Sequence, residues 1–184
     1  YGLWRAGMVL VPVNVRNSPV LNAGILRPLK TSAMVYHSQV TSLAAHVKEE
    51  LHSLPQWCCL DRQDDETPSL IDWMAPLGSI AKDLPNDPLT PWTLYSTSGT
   101  TGSSKGVMHT HLSNYVTSVD MLFSMRAHEA KRHLVVAPMT HFAGSFIFAL
   151  TMTGSTHVLL DKADPLEILE TIEKEKIQIL NLLV

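Results

Sequence analysis

The residues best suited to chemistry lie in one run. It reads Ser96-Thr97-Ser98-Gly99-Thr100-Thr101-Gly102-Ser103-Ser104-Lys105-Gly106, nothing but Ser, Thr and Gly around a single lysine. Glycines at 99, 102 and 106 let a main chain take positive φ and bring its N–H groups around an oxyanion. Hydroxyls at 96, 97, 98, 100, 101, 103 and 104 add donors without bulk, and some of them suit a magnesium ion. Lys105 supplies a full positive charge. Such a cradle holds a polyphosphate and steadies charge that moves during phosphoryl-type chemistry. A flexible Gly/Ser linker shares this composition, but it needs neither the lysine nor structured flanks. Two familiar phosphate loops fail on spacing. Walker A needs Gly directly before Lys and Ser or Thr after it, whereas Ser104 precedes Lys105 and Gly106 follows; G-x-G-x-x-G is absent.

Such a loop must be positioned by its neighbours. Residues 92–95 are apolar and strand-like, and Leu112, Tyr115, Val116, Val119, Leu122 and Phe123 mark the buried side of an amphipathic helix. The loop is therefore expected between a strand and a helix, where an open parallel sheet binds anions. Elsewhere, short Val/Ile/Leu runs alternate with helical spacing, which predicts an α/β fold with a mostly parallel sheet and crossover helices. Gly7 caps a helix containing Leu3 and Trp4; a strand follows over 8–13, and Ser18-Pro19 starts another helix. A strand near 34–36 precedes a helix carrying Val40, Leu43, Ala44, Val47, Leu51 and Leu54, and 56–60 returns as a strand. Residues 61–91, with Asp64-Asp65-Glu66 and five prolines, read as connecting segment. This divides the chain into 1–60, 61–91 and 92–184. In the last part 156–160 is a strand, Asp164 an N-cap with Pro165 at the first helical position and Glu167 closing a capping box. Leu166, Leu169 and Ile172 form an apolar stripe there, and 177–184 is the returning strand. Glu170, Glu173, Lys174 and Glu175 are expected to face water.

At 184 residues and 45% hydrophobic, the chain has material for one ordinary core, which excludes disorder, collagen and coiled coil. A charged fraction of 17% and a net charge of −3, without a basic block, argue against nucleic acid or anionic lipid as partner. Small molecules fit better. Cys58 and Cys59 make no disulfide framework and no four-ligand zinc site; they read as two partly buried thiols in a reducing cytosol, so a cytoplasmic location is expected. Residues 134–160 lack Asp, Glu, Lys and Arg, but Pro138, His141, Gly144 and Gly154 break them, and the apolar piece 142–152 falls short of the roughly 20 residues of a membrane span. The chain opens at Tyr1 without a targeting segment and stops within Leu182-Leu183-Val184, so it is expected to be a piece of a longer protein.

Extended to Tyr95 and Val107-Met108, the loop closely resembles the signature of the adenylate-forming superfamily: acyl-CoA synthetases, peptide-synthetase adenylation domains and luciferases. Val11-Pro12-Val13-Asn14-Val15-Arg16 is similar to the family's V-P-x-N-x-R stretch, and Pro138-Met139-Thr140-His141-Phe142-Ala143-Gly144 resembles its P-x-x-H-x-x-G segment. The resemblance implies part of the large N-terminal domain of such an enzyme. It implies a two-step reaction in which a carboxylate attacks the α-phosphorus of ATP, releasing pyrophosphate, and a thiol, usually coenzyme A, displaces AMP. Ser96 to Gly106 would grip the β- and γ-phosphates, Thr100 and Thr101 would be the hydroxyls nearest the magnesium, and Lys105 would steady the leaving pyrophosphate. His141 would stand near the carboxylate and the thiol tunnel, with Phe142 beside it and Gly144 leaving room for the acyl chain. Lys105 and His141 are thus the implied catalytic residues, and Asn14 and Arg16 are structural. Ser104 stands where the family usually has Pro, Thr140 replaces a common aromatic, and Val15 a more usual Pro or Thr. The adenine and ribose motifs and the small C-terminal domain with its adenylation lysine are expected outside these residues, so the chain alone should bind ATP weakly and turn over nothing. Met139-Thr140-His141 and the apolar 142–150 helix incline the reading toward a fatty or aryl acid. The alternatives are an amino-acid adenylation domain and a non-catalytic phosphate-binding module.

Overall fold

The computed structural model describes residues 2–52, 56–62, 67–79, 87–97, 105–140 and 142–182; for Thr97, Lys105 and Phe142 only the main chain is described. The chain forms two compact units, Tyr1–Asn86 with Trp92–Met108, and Asp87–Pro91 with His109–Val184. Among the described residues the strands make three small sheets of two, two and three strands.

In the first unit, α1 (Gly2–Arg5) ends where Gly7 takes φ 75°, as the sequence predicts. Trp4 stacks on Trp92 at 4.6 Å and donates its Nε1–H to the Trp92 carbonyl at 2.9 Å. The strand expected over 8–13 shrinks to one parallel bridge, Leu10 with Thr93. Leu10 N donates to Trp92 O and Leu10 O accepts from Leu94 N; the next donor along this edge belongs to Pro12, which has no N–H, so the ladder stops. Ser18 Oγ then accepts from Leu21 N and starts α2 (Pro19–Leu26). The unit β1 (Ala33–Tyr36), α3 (Thr41–Leu51), β2 (Gln56–Cys59) is a parallel crossover in register from Ala33↔Gln56 to Tyr36↔Cys59. Ala23 and Leu26 of α2, Ala44, Val47 and Leu51 of α3, and Trp57 of β2 bury one core between them. The connecting segment holds a turn of helix, α4 (Leu70–Trp73), started by a reciprocal Ser69–Asp72 cap, with Ser69 bridging to Cys59. Two paired strands follow, β3 (Pro91–Thr97) and β4 (Lys105–Thr110).

The second unit begins with α5 (His111–Ser124), fixed by a Thr110–Ser113 capping box, and continues through β5 (Arg132–Val135), α6 (Phe142–Met152), β6 (Thr156–Leu159), α7 (Pro165–Glu175) and β7 (Ile179–Leu180). Its sheet is parallel throughout, in the order β6-β5-β7. The returning strand thus pairs with β5, not β6, and is two residues long. The parallel sheets and crossover helices are the predicted α/β class.

Two helical faces differ from expectation. On α5 the buried residues are Ser118, Met121 and Leu122, because α6 packs there with Phe146, Ala149 and Leu150. Leu112, Tyr115, Val116 and Phe123, expected inside, point outward, Phe123 being 66% exposed. On α7 only Ile168 is buried, while Leu166 and Leu169 are exposed. The Asp164 carboxylate accepts from Leu166 N and Glu167 N, both at 3.0 Å, but Glu167 returns no bond among the described residues, so the cap is one-sided. Glu175 does not simply face water; it pairs with Arg132 of β5.

Candidate functional site

The Ser/Thr/Gly run begins and ends in strands. Ser96 and Thr97 close β3; Lys105 and Gly106 open β4, so a strand rather than a helix follows the loop. Ser98, Gly99, Thr100, Thr101, Gly102, Ser103 and Ser104 lie outside the described residues, as does the Lys105 side chain. The seven residues 98–104 are too few for the crossover a parallel pair requires, so β3 and β4 form a hairpin whose ladder holds both ends of the loop. Gly106 does not take positive φ. It is glycine for clearance: a Cβ there would meet Leu29 Cδ2 at 3.0 Å, with β4 running close past the end of α2.

The second motif connects β5 to α6. His141 lies outside the described residues, and Phe142 opens α6 with its side chain undescribed. Met139 is exposed and Thr140 half-buried. Gly144 is buried, and a methyl group on it would overlap the Met139 carbonyl oxygen. The space beside this glycine is thus occupied by the main chain of its own motif, which folds tightly back on the first turn of α6. In the third motif, Asn14 is structural as expected. Its Oδ1 accepts from Arg16 N at 3.0 Å, and its carbonyl accepts from Asn22 Nδ2 at 3.2 Å, tying the approach to α2 onto that helix.

Two polar clusters carry features that the motif reading missed. Asp61, just past β2, accepts from Ser38 N at 2.8 Å and Ser38 Oγ at 2.6 Å, with His37 Nε2 at 3.5 Å. The Ser38 hydroxyl first, then its N–H, hold this carboxyl down at about 2. Burial, with Cys59 and Asp72 nearby, pushes the Cys58 thiol up, which fits an inert packed sulfur. Across the second unit's sheet, His133 of β5 stands in register with His157 of β6, their Nδ1 atoms 3.1 Å apart. His133 Nε2 meets Asn181 Oδ1 at 3.1 Å, and His157 Nε2 meets Thr151 Oγ1 at 3.0 Å. Burial lowers the pKa of both rings, and the His133 charge lowers that of His157 further. A signal existed: R-H-L-V and T-H-V-L place His at the same offset of two strands, hence on one face when these pair in parallel.

Among the described residues no group of three or more His, Cys, Asp or Glu gathers to hold a metal ion, and no helix is long and apolar enough to cross a membrane.

Both motifs thus adjoin strand ends. Over residues 1–183 the chain matches the family described as AMP-binding enzyme. The chain belongs to that family. It is 29% identical to 4-hydroxybutyrate–CoA ligase 2 of Metallosphaera sedula over 96% of this chain and 34% of that protein. It is 35% identical to 2-succinylbenzoate–CoA ligase of Bacillus licheniformis over 47% of this chain and 18% of that protein. The fold matches the crystal structure of the N-terminal domain of FACL13 from Mycobacterium tuberculosis with a TM-score of 0.85 at 22% identity, covering 98% of this chain and 44% of that one. The chain therefore spans about a third of the length of that Metallosphaera sedula relative.

Proposed function

We propose that this chain is the nucleotide-phosphate-binding part of an ATP-dependent carboxylate–CoA ligase. The observation that carries the reading is the β3–β4 hairpin, which closes on the Ser/Thr/Gly run with Lys105 at its edge, in a chain matched by the AMP-binding family over 1–183. In the first step, a carboxylate oxygen attacks the α-phosphorus of ATP; the acyl-adenylate forms and pyrophosphate leaves. The amides and hydroxyls of 96–106 hold the β- and γ-phosphates, and the Lys105 ammonium offsets the charge that develops on the leaving group. Magnesium enters with the polyphosphate as part of the nucleotide substrate, beside Thr100 and Thr101. In the second step the thiol of coenzyme A attacks the acyl carbon and AMP departs, with His141 next to the reacting carboxyl. Phe142 borders the acyl chain, and Gly144 allows the tight turn that sets His141 beside it.

The names of the relatives, a hydroxyalkanoate–CoA ligase and an aryl-acid–CoA ligase, support coenzyme A as the thiol and a carboxylic acid without an amino group as the substrate. Adenine, ribose and the C-terminal lysine are handled by segments outside these residues. Carboxylate-dependent exchange of labelled pyrophosphate into ATP, measured on the full-length protein, tests the reading. Exchange with fatty or aryl acids supports it; exchange with amino acids alone moves the protein to the adenylation-domain class, and no exchange with any carboxylate leaves a non-catalytic phosphate-binding module.

A further inference from the structure

The polar string across β6, β5 and β7 has a proton count that its geometry makes explicit. Thr151 Oγ1 donates its single proton to the Ile147 carbonyl at 2.6 Å. At the 3.0 Å link to His157 the ring must therefore be the donor, through Nε2–H. The 3.1 Å contact between the two Nδ1 atoms needs one more ring proton, and the 3.1 Å contact of His133 Nε2 with Asn181 Oδ1, an acceptor, needs a third. Two neutral imidazoles carry only two. With Oδ1 of Asn181 facing His133, the string therefore needs one proton more than two neutral rings carry. A second observation favours the other orientation of the amide: among the described residues Asn181 Nδ2 is buried without a partner. Rotating that amide by half a turn would give Nδ2 a partner, His133 Nε2, and would supply the third link from the amide rather than from the rings.

We propose that His133 and His157 form a proton-operated switch for the Asn181 side-chain amide at the carboxyl end of β7. With two neutral rings, His157 carries its proton on Nε2, His133 on Nδ1, and Asn181 turns its NH2 toward His133 Nε2. When one proton is added it settles on His133 Nε2, and Asn181 turns its Oδ1 inward. The atom Asn181 presents on its other side changes from acceptor to donor.

Among the described residues no charged group outside the couple shifts either ring. α6, which packs over it with Phe146, has no titratable side chain, β7 has none, and Asn181 follows β7 directly. On β5 itself, Arg132 projects to the opposite face, where it pairs with Glu175 of α7. The desolvation of both rings places the transition on the acid side of the ordinary histidine range.

Nitrogen-15 NMR of the labelled chain, following the ring nitrogens and the Asn181 side-chain amide from pH 8 to pH 5, tests the proposal. The expected result is an Nε2–H tautomer for His157 and Nδ1–H for His133 at pH 8, then uptake of one proton at His133 Nε2 with a concerted shift of the Asn181 NH2 signals. An Nε2–H tautomer of His133 at pH 8, or Asn181 signals that stay fixed while the couple titrates, would overturn it. Asn181→Asp adds a second reading: a carboxylate only accepts, so it should raise the couple's proton affinity by roughly tenfold or more. An unchanged or lower affinity in that variant would also contradict the switch.

Discussion

At the scale of single residues, the two motif glycines have steric reasons that their motifs do not name. Gly106 and Gly144 are both legible from the sequence, but Gly106 spares Leu29 rather than bending the chain, and Gly144 spares the carbonyl of Met139. Clearances of this kind come from parts of the chain that no local pattern names. Gly144→Ala should therefore destabilise the fold by about 1–3 kcal/mol in urea unfolding, because a buried methyl there must displace main chain. Asp61 gives a pH test. Its carboxyl sits at about 2 when folded, against roughly 4 in an unfolded chain. The folded state thus binds fewer protons, and the contribution is complete above the unfolded value and lost as the pH falls from about 4 toward the folded one. Asp61→Asn should flatten that acid limb when unfolding midpoints are followed with pH. His133 and His157 act in the same direction at higher pH, since their lowered values make folding less favourable below about pH 6.5.

At the scale of elements, periodicity located α5 and α7 but misassigned a face of each. The apolar row through Leu112, Tyr115, Val116 and Phe123 is as regular as the row through Ser118, Met121 and Leu122, and only the position of α6 decides which is buried. Period identifies a helix; its partner selects the face. Strand lengths were overread for a related reason, since apolar runs continue beyond the residues that find a ladder partner, as Pro12 shows by ending one. The contrast is measurable. Leu150→Ala, in the core shared by α5 and α6, should cost about 2–5 kcal/mol, whereas Phe123→Lys should change stability by no more than about 0.5 kcal/mol. Denaturant midpoints for the two variants would check both. A large loss from Phe123→Lys would mean that the outward row is covered in solution.

At the scale of the whole molecule, the α/β class and the family were legible because the loop chemistry is dense and its flanks are strongly patterned. The hairpin was not. Val107 and Met108 read equally well as an approach to the helix, and only the pairing of β4 with β3 shows that Lys105 leaves the loop inside a strand. That placement puts the main chain of Lys105 at the start of β4, and the central claim is the proposal that its ammonium meets the terminal phosphates of ATP. Calorimetric titration of the full-length protein with ATP and with AMP, wild type against Lys105→Ala, tests it most directly. A charge-assisted contact of about 1.5–3 kcal/mol predicts that the variant loses roughly tenfold or more in affinity for ATP and keeps its affinity for AMP. Equal losses for both nucleotides, or no loss for ATP, would contradict it.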